Sequence, residues 1–316
     1  MFSSTLSNPT PVNFTDSMIE QNLLPNFLVI GAAKAGTTAL HAYLSEHHEI
    51  FMTRPKEPRF FLVWNNPEQM LIHERENRPE FNRYNTIEKY SELFVNGKDC
   101  AVRGESSPQY LANAHCAAKI KKLVPHAKII VVLRNPVDRA FSHYLTYKNW
   151  RAEKKNFEEA INEEMKTGRF DYIQEMRYLS MGKYTRQLKV YLSMFSPDQL
   201  KICLYDDFKN DSLNFLKDIF RFLCVDDTFV PDLQHKHNVS FIRRYSHDSG
   251  MDKVLGVSQR GFRRLKMHSL EEAVKHHRFY KPIFKPETRK KLIGYFADEV
   301  SELEKLLNKD LSNWRQ

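Results

Sequence analysis

The sequence predicts one α/β domain in which a central, mainly parallel sheet is flanked by helices. Two short, continuously apolar runs, Phe27 to Ile30 and Ile129 to Leu133, are typical of buried parallel strands. A glycine-containing loop follows the first run, an Asn-Pro pair follows the second, and a stretch with helical spacing of apolar residues comes after each. Strands that alternate with helices indicate right-handed crossovers and a sheet covered on both faces.

The rest of the chain extends this pattern. Residues 1–24 are mostly polar and are expected to form an irregular lead-in, so the domain is predicted to span residues 25–316. Residues 240–282 are rich in basic residues and have no clear period. The other expected elements are a short strand near Ile50 to Met52, a helix over Tyr184 to Phe195, a strand over Gln199 to Tyr205, a helix over Leu213 to Leu223 and a closing helix from Pro286 to about Leu307.

Composition restricts the possible partners. The 316 residues carry a formal charge of +9, which favours anionic ligands, but no run of five or six like charges indicates a nucleic-acid tail. The four cysteines are far apart and form no C-x-x-C pair, which argues against a zinc site and a disulfide framework. We recognise no signal peptide and no apolar stretch of membrane-spanning length, so a cytoplasmic protein with no membrane partner is expected.

An eight-residue stretch between the first strand and the first helix has the composition of a phosphate-binding, P-loop-like loop. In Gly31 to Thr38 (GAAKAGTT), backbone N–H groups and the positive end of a helix can face an anion. Gly36 lets the backbone approach that anion closely, and the Thr37 hydroxyl can donate a hydrogen bond to it. The loop departs from the G-x-x-x-x-G-K-[ST] pattern, because its lysine is Lys34 and Thr37 occupies the usual lysine position. This shift disfavours a nucleoside-triphosphatase.

The stretch Phe27 to Leu40 (FLVIGAAKAGTTAL) resembles the 5′-phosphosulfate loop of sulfotransferases that use PAPS (3′-phosphoadenosine-5′-phosphosulfate). It is closer to the heparan-sulfate and bacterial branch than to the steroid and phenol branch. The resemblance implies the sulfotransferase fold, PAPS as donor, PAP as product and no required metal. It also implies that Lys34 is a catalytic residue that stabilises charge on the leaving nucleotide. The donor ligands that it implies are Ala35, Gly36, Thr37 and Thr38.

A second motif follows the apolar run Ile129 to Leu133. Its sequence, Arg134 to Tyr144 (RNPVDRAFSHY), resembles the 3′-phosphate motif of the same family. An arginine at a strand end can pair with a dianionic phosphate through several donors, and Ser142 lies about two helical turns further on. The resemblance implies Arg134 and Ser142 as 3′-phosphate ligands, and it leaves Arg139 open between a ligand and a solvated ion-pair partner. Both motifs are expected at the carboxyl edge of the sheet, where open α/β sheets bind ligands.

A candidate general base lies in Pro55 to Phe61 (PKEPRFF), which resembles the K-E-x-x-F-F segment of the heparan-sulfate branch. The resemblance implies Glu57 as the base that takes the acceptor's proton, and Lys56 beside it as a residue that helps to hold the donor's sulfate. His47 and His48 are rival bases because histidine titrates near neutral pH, and His48 is kept as a catalytic candidate. Both histidines lie at the end of the first helix, where capping and surface roles are commoner.

Two further segments are assigned less directly. Gly104 to Tyr110 (GESSPQY) resembles the family segment E-K-[ST]-x-x-Y, and this implies substrate-binding roles for Glu105 and Ser106. Ser106 stands where lysine is common, so one catalytic cation is either missing or supplied elsewhere. The K-G-R segment that closes over the donor in heparan-sulfate enzymes is not present as such, and the candidate replacements are Arg243, Arg244 and the Arg260-Gly261 pair.

The predicted reaction is sulfuryl transfer from PAPS to a hydroxyl or amine of an acceptor, most simply a small metabolite or natural product. Two alternatives stay open. A P-loop-type small-molecule kinase would need ATP and magnesium, and the displaced lysine disfavours it. A nucleic-acid or acidic-polymer binding module that uses residues 240–281 would bind with steep salt dependence and without turnover. A basic rim around a doubly phosphorylated nucleotide accounts for the same charge. The oligomeric state is left open.

Overall fold

Five parallel strands form the central sheet of this computed structural model. They are β1 (Phe27–Gly31), β2 (Ile50–Met52), β3 (Val102–Ser106), β4 (Lys128–Leu133) and β5 (Leu200–Leu204). Their order is β2-β3-β1-β4-β5, and every neighbouring pair is parallel. The structure describes residues 23–75, 78–150, 152–167, 177–233, 242–243, 250–265, 267, 269–270, 273–274, 279–280 and 284–316.

Helices connect and flank these strands. The first seven are α1 (Thr37–Glu46), α2 (Phe60–Val63), α3 (Pro67–Arg75), α4 (Ile87–Ser91), α5 (Ala114–Leu123), α6 (Pro136–Asn149) and α7 (Phe157–Thr167). The other described helices are α8 (Tyr184–Leu192), α9 (Tyr205–Asn210), α10 (Ser212–Leu223), α11 (Gly250–Arg264), α12 (Pro286–Tyr295) and α13 (Ala297–Leu307). Short 3₁₀ turns cover Pro79–Asn82, Glu92–Gly97, Ser180–Gly182, Pro197–Gln199 and Ser312–Arg315. A separate antiparallel pair joins β6 (Ile242–Arg243) to β7 (Phe279–Tyr280).

The two central strands confirm the expectation from their composition. Every residue from Phe27 to Ile30 and from Ile129 to Leu133 has no exposed surface. A parallel strand with helices on both faces has no polar side, which explains why these runs are continuously apolar. The predicted single α/β fold with a parallel sheet is therefore confirmed.

Strand β3 was not anticipated, although it lies next to the centre of the sheet. Its sequence, VRGES, combines charged residues with a glycine, and neither is typical of a buried strand. Gly104 is required by packing, because a Cβ there would lie 2.2 Å from the Phe27 ring on β1. Asn26 ties the two strands together at their start: its side chain accepts a hydrogen bond from the Arg103 N–H (2.8 Å) and donates one to the Ala101 carbonyl (2.7 Å).

The closing helix predicted from Pro286 to about Leu307 is in fact two helices, α12 and α13. The chain turns at Phe296, which has φ −97° and ψ 5° and is almost fully buried. Burying this ring reorients the chain, and an apolar residue gives no signal of a helix break. Other boundaries shift slightly: the helix predicted to reach Phe195 ends at Leu192, and Tyr205, expected in a strand, begins α9.

The basic region without a clear period contains a helix that the sequence did not reveal, α11. Residues 1–22, most of the expected lead-in, lie outside the described residues. None of the described helices is long and apolar enough to cross a membrane.

Candidate functional site

The candidate site lies at the carboxyl edge of the sheet, where the segments that follow the strands meet. The phosphate loop follows β1, and Arg134 follows its neighbour β4. On the other side of β1, β3 ends at Ser106, and the edge strand β2 leads into the segment that carries Glu57. Residues that are far apart in sequence are therefore brought to one edge, as expected for a ligand site of an open α/β sheet.

The phosphate loop has a tight backbone turn between β1 and α1. Lys34 and Gly36 both have positive φ, 72° and 85°, and the Ala35 N–H donates to the Ala32 carbonyl at 3.1 Å. The Ala32 N–H donates to the Val132 carbonyl of β4 at 2.7 Å, so the loop is anchored to the next strand. Gly36 precedes the first turn of α1, where backbone N–H groups have no partner within the helix and can bind an anion.

Lys34 and Arg134 are in direct contact. An Arg134 Nη1 donates to the Lys34 carbonyl at 3.1 Å, and the guanidinium lies 4.9 Å from the centre of the Tyr205 ring. The Tyr184 hydroxyl donates to the Arg134 carbonyl at 2.8 Å. Burial lowers the pKa of Lys34, and the positive charges of Lys56 and Arg134 add to this effect. Two cations are thus held close together at the end of β1, an arrangement that favours an anionic ligand.

Helix α6 carries the rest of the second motif. Ser142 is buried on this helix, as is Arg139, which has no exposed surface. Arg139 donates to the Tyr178 carbonyl, and its Nη1 lies 3.4 Å from His143 Nδ1. Burial lowers the pKa of Arg139. Of the two roles left open for Arg139, the solvated ion pair is excluded by this burial.

The segment after β2 places Glu57 within reach of three donors. Its carboxylate contacts Lys56 Nζ, lies 3.4 Å from an Arg59 Nη2, and accepts from Gln109 Nε2 at 3.0 Å. Glu57 also has a positive φ of 63°. Burial would raise the pKa of Glu57, but Lys56 and Arg59 outweigh it and lower this pKa to about 2. Glu57 is therefore an ionised carboxylate that contributes to the electrostatic field at Lys34.

Comparison with known proteins identifies the family. Residues 24–243, more than half of the chain, match the model of the sulfotransferase domain. The chain belongs to the sulfotransferase family. A solved sulfotransferase from Alicyclobacillus acidocaldarius superposes with a TM-score of 0.69 at 30% identity, covering 92% of this chain and 99% of that one. The predicted membership of the PAPS-dependent sulfotransferase family is thus confirmed.

Two curated relatives of this chain are longer proteins. A bifunctional heparan sulfate N-deacetylase/N-sulfotransferase 3 from Homo sapiens is 27% identical over 296 residues, which cover 90% of this chain and 30% of the relative. A membrane-associated sulfotransferase, kil1, from Dictyostelium discoideum is 33% identical over 149 residues, 45% of this chain and 28% of the relative. The chain therefore spans less than a third of the length of these relatives.

Some of the predicted site residues are fully buried or lie away from the candidate site. Glu105 and Ser106 were predicted to bind substrate, but both are completely buried. Glu105 accepts from the Tyr90 hydroxyl at 3.3 Å, and burial raises its pKa to about 7. Ser106 Oγ lies 3.0 Å from His41 Nδ1. The structure thus gives both residues buried partners beneath the site instead of access to a substrate.

His48 is also away from the site. It lies beyond the C-terminal end of α1, about 15 Å along the helix axis from the phosphate loop. Its ring stacks on His47 (4.9 Å between centroids), and His47 Nε2 is 2.9 Å from the Asp226 carbonyl. The structure therefore does not bring the rival base to Glu57. Arg243 lies in β6 and its backbone pairs with Phe279 of β7. The structure does not describe the Arg243 side chain, and Arg244 falls outside the described residues.

Three residues that sequence reasoning missed lie at the candidate site. Gln109 bonds the candidate base, Tyr205 lies under Arg134, and His41 lies beside the Lys56–Glu57 pair. Tyr205 also packs against the loop, since a Cβ on Gly36 would lie 2.9 Å from its ring. A tyrosine directly after a strand and a histidine one turn beyond the threonines were the available signals, and neither is specific.

A pocket adjoins Gln109 on the side of α2, α3 and α8. Its polar lining is rich in amide and guanidinium groups, contributed by Gln69, Gln109, Asn113, Arg177, Arg186 and Gln187. Gln109 Oε1 is buried and has no hydrogen-bond partner in the described part of the chain. Because Gln109 also contacts Glu57, this pocket lies next to the candidate base. Among the described residues, no group of three or more acidic, histidine or cysteine side chains could hold a metal ion.

Proposed function

We propose that this chain transfers the sulfuryl group of PAPS to a hydroxyl or amine of an acceptor. The observation that carries the proposal is the meeting of Lys34, Arg134 and Glu57 at one edge of the sheet, with the Lys34 carbonyl bonded to Arg134. A donor with phosphates at both its 5′ and 3′ positions needs two cationic sites. The amides after Lys34 suit the 5′-phosphate, and Arg134 with Ser142 suits the 3′-phosphate.

The proposed chemical step is an in-line displacement at sulfur. The acceptor oxygen or nitrogen forms a bond to sulfur while the bond from sulfur to the bridging phosphate oxygen breaks. Lys34 stabilises the negative charge that develops on the departing PAP, and Glu57 takes the acceptor's proton. Positioning and electrostatic stabilisation supply most of the rate, as in phosphoryl transfer.

The ion pair between Lys56 and Glu57 has a role in this proposal. A carboxylate with a pKa of about 2 is a weak base. A sulfate group that enters beside Lys56 competes with Glu57 for the ammonium group, and loss of that partner raises the pKa of Glu57. Donor binding thus separates Lys56 from Glu57 and makes the Glu57 carboxylate a stronger base.

We propose a small polar molecule as the acceptor. The pocket beside Gln109, about 50 Å³ in volume, has room for the reacting group of such an acceptor and not for the whole molecule. Its amide and guanidinium groups can pair with a hydroxyl, amine or acidic group. The relatives named for heparan sulfate suggest a second candidate, a glycan bearing free amines. A comparison of a free amino sugar, a phenol and an N-deacetylated glycosaminoglycan as acceptors distinguishes these possibilities.

The test is transfer of radiolabelled sulfate from PAPS to that acceptor panel, without added metal, by the wild type and Glu57→Gln. We expect label in an acceptor with the wild type, and loss of turnover in Glu57→Gln with PAP binding kept within about threefold, because glutamine keeps the shape but is not a base. Normal turnover by Glu57→Gln would exclude Glu57 as the base. Transfer of label only when both ATP and Mg²⁺ are added would exclude the proposed reaction.

A further inference from the structure

His41 is a buried histidine that the proposed chemistry does not use. It lies one turn into α1, three residues beyond Thr38, and is 9% exposed. Its Nδ1 is 3.0 Å from Ser106 Oγ at the end of β3, and its ring lies beside the Thr53 backbone, which acts to raise the pKa of His41. One side chain thus joins the helix of the phosphate loop, the strand β3 and the segment that leads to Glu57.

The segment from Thr53 to Arg59 is held at both ends by residues of β3 and its exit. The Thr53 N–H donates to the Gly104 carbonyl at 3.1 Å, and the Arg59 N–H donates to Ser107 Oγ at 3.1 Å. Glu57 lies between these two anchors in a left-handed conformation that costs energy for a residue with a Cβ. A strained residue keeps its conformation only where its surroundings fix it, so the anchors decide where the carboxylate points.

The surroundings of His41 keep its ring neutral. Burial and the nearby positive charge of Lys56 lower the pKa of His41 to about 4, although Glu57 and the Thr53 backbone oppose this shift. A neutral imidazole has one donor and one acceptor nitrogen, and the Ser106 hydroxyl and the Thr53 backbone are two suitable partners. These roles suit a structural connector and leave no free nitrogen for proton transfer from a substrate.

We propose that His41 is a positioning residue which, together with Ser106, fixes the segment Thr53 to Arg59 so that Glu57 faces the acceptor. The proposal rests on the assigned role of Glu57 as base. In this arrangement the Ser106 hydroxyl pairs with the histidine of α1 and provides no charge to the reaction. The position of the base is thereby coupled to the loop that binds the donor.

The test uses the full chain with His41→Ala, His41→Asn and Ser106→Ala, and with His126→Ala, at an exposed histidine just before β4, as the control. PAP binding, hydrogen exchange of residues 53–61 with PAP bound, and kcat on the acceptor panel are measured. We expect His41→Ala to raise amide exchange in this segment at least ~tenfold and to lower kcat ~100-fold, while PAP affinity stays within about threefold. Ser106→Ala has a smaller effect in the same direction, and His126→Ala has none.

His41→Asn separates positioning from general destabilisation, because its amide can still donate and accept. It is expected to restore kcat to within about tenfold of wild type. In the Glu57→Gln background, where turnover is already lost, His41→Ala should still raise amide exchange in residues 53–61 while PAP affinity stays within about threefold. A simple loss of folding would instead raise exchange throughout the chain and abolish PAP binding.

Unchanged exchange and kcat in His41→Ala would overturn the proposal, and so would PAP affinity that falls in proportion to kcat. If His41→Ala does not fold, the asparagine and Ser106→Ala variants decide the question by the same measurements. Failure of the assigned base gives a different pattern: Glu57→Gln then turns over normally, while the exchange effect of His41→Ala persists.

Discussion

At Glu57, burial and neighbouring charge act in opposite directions. Burial favours the neutral acid, and Lys56 and Arg59 favour the carboxylate strongly enough to lower its pKa to about 2, below the ordinary value of 4.5. Because the folded-state pKa is the lower one, the interaction stabilises the fold fully above about pH 4.5. This stabilisation is lost as the pH falls from about 4.5 through about 2.

The pH dependence of turnover tests this balance. In the free wild-type enzyme Glu57 is ionised from pH 4 to 8, so it contributes no acid limb to kcat/KM in that range. Lys56→Met removes one of the two cations beside Glu57, the other being Arg59. The pKa of Glu57 is then expected to rise, so that the fall in kcat/KM at acidic pH enters the measurable range. The profile is measured with PAPS and the acceptor panel. An identical profile in Lys56→Met would show that the ion pair does not set the ionisation of Glu57.

Lys34 offers a second prediction at the level of a single side chain. Lys34→Ala removes the cation beside the leaving nucleotide, so kcat/KM is expected to fall by a factor on the order of 10²–10³, the loss typical of one electrostatic stabiliser. Lys183→Ala, at the residue just before α8, is the matched control and should keep wild-type activity. Steady-state kinetics on PAPS measure both variants. A Lys34→Ala variant with normal kcat/KM contradicts the assigned role.

The phosphate loop is an element whose conformation depends on one glycine. Gly36 has φ +85°, and a Cβ there would lie 2.9 Å from Tyr205. Gly36→Ala is therefore expected to destabilise the protein by about 1–2 kcal/mol or more and to weaken PAP binding. Gly294→Ala is the control, because this helical glycine has nothing within 4 Å of a Cβ, and it should stabilise by up to ~1 kcal/mol. Denaturant unfolding and PAP titration are measured for both variants. Equal changes in stability and PAP affinity in Gly36→Ala and Gly294→Ala would contradict the account.

The C-terminal 3₁₀ turn supports the element that carries Arg134. Trp314 is buried, its Nε1 donates to Asp206 at 2.6 Å, and its carbonyl accepts from Asn135 Nδ2 at 3.2 Å. Trp314→Ala should cost about 3–5 kcal/mol and weaken PAP binding, because Asn135 follows Arg134 directly. Trp150→Ala, at a residue 59% exposed, should change stability by less than about 0.5 kcal/mol. Thermal unfolding with and without PAP checks both, and normal PAP affinity in Trp314→Ala would exclude this support.

Elements were predictable from sequence where one physical requirement dominates. Full burial makes β1 and β4 continuously apolar, so both were recognised. Strand β3 was missed because its residues are determined by tertiary contacts. Gly104 is needed for packing against Phe27, and the neighbouring backbone forms hydrogen bonds across the sheet. The break between α12 and α13 was missed for a related reason, since tertiary packing of Phe296 determines it.

For the whole molecule, the order of the strands brings the site together. The motifs after β1, β2 and β4 could be predicted from sequence, because each is a contiguous stretch with its own chemistry. The contacts of Gln109 with Glu57 and of Tyr205 with Arg134 join residues separated by 52 and 71 positions, and no local pattern reveals them. The roles first assigned to Glu105 and Ser106 depended on exposure, which the sequence does not contain.

The central claim is that one edge of the sheet binds a nucleotide with phosphates at both its 5′ and 3′ positions. The most direct measurement is a metal-free thermal-shift titration with PAP, ATP and NADP on the wild type, Lys34→Ala and Arg134→Ala. PAP alone is expected to stabilise the wild type, by about 2.7 kcal/mol at ~100 times its dissociation constant, and to lose this effect in both variants. Stabilisation by ATP only with magnesium, or by none of the three nucleotides, would contradict the account.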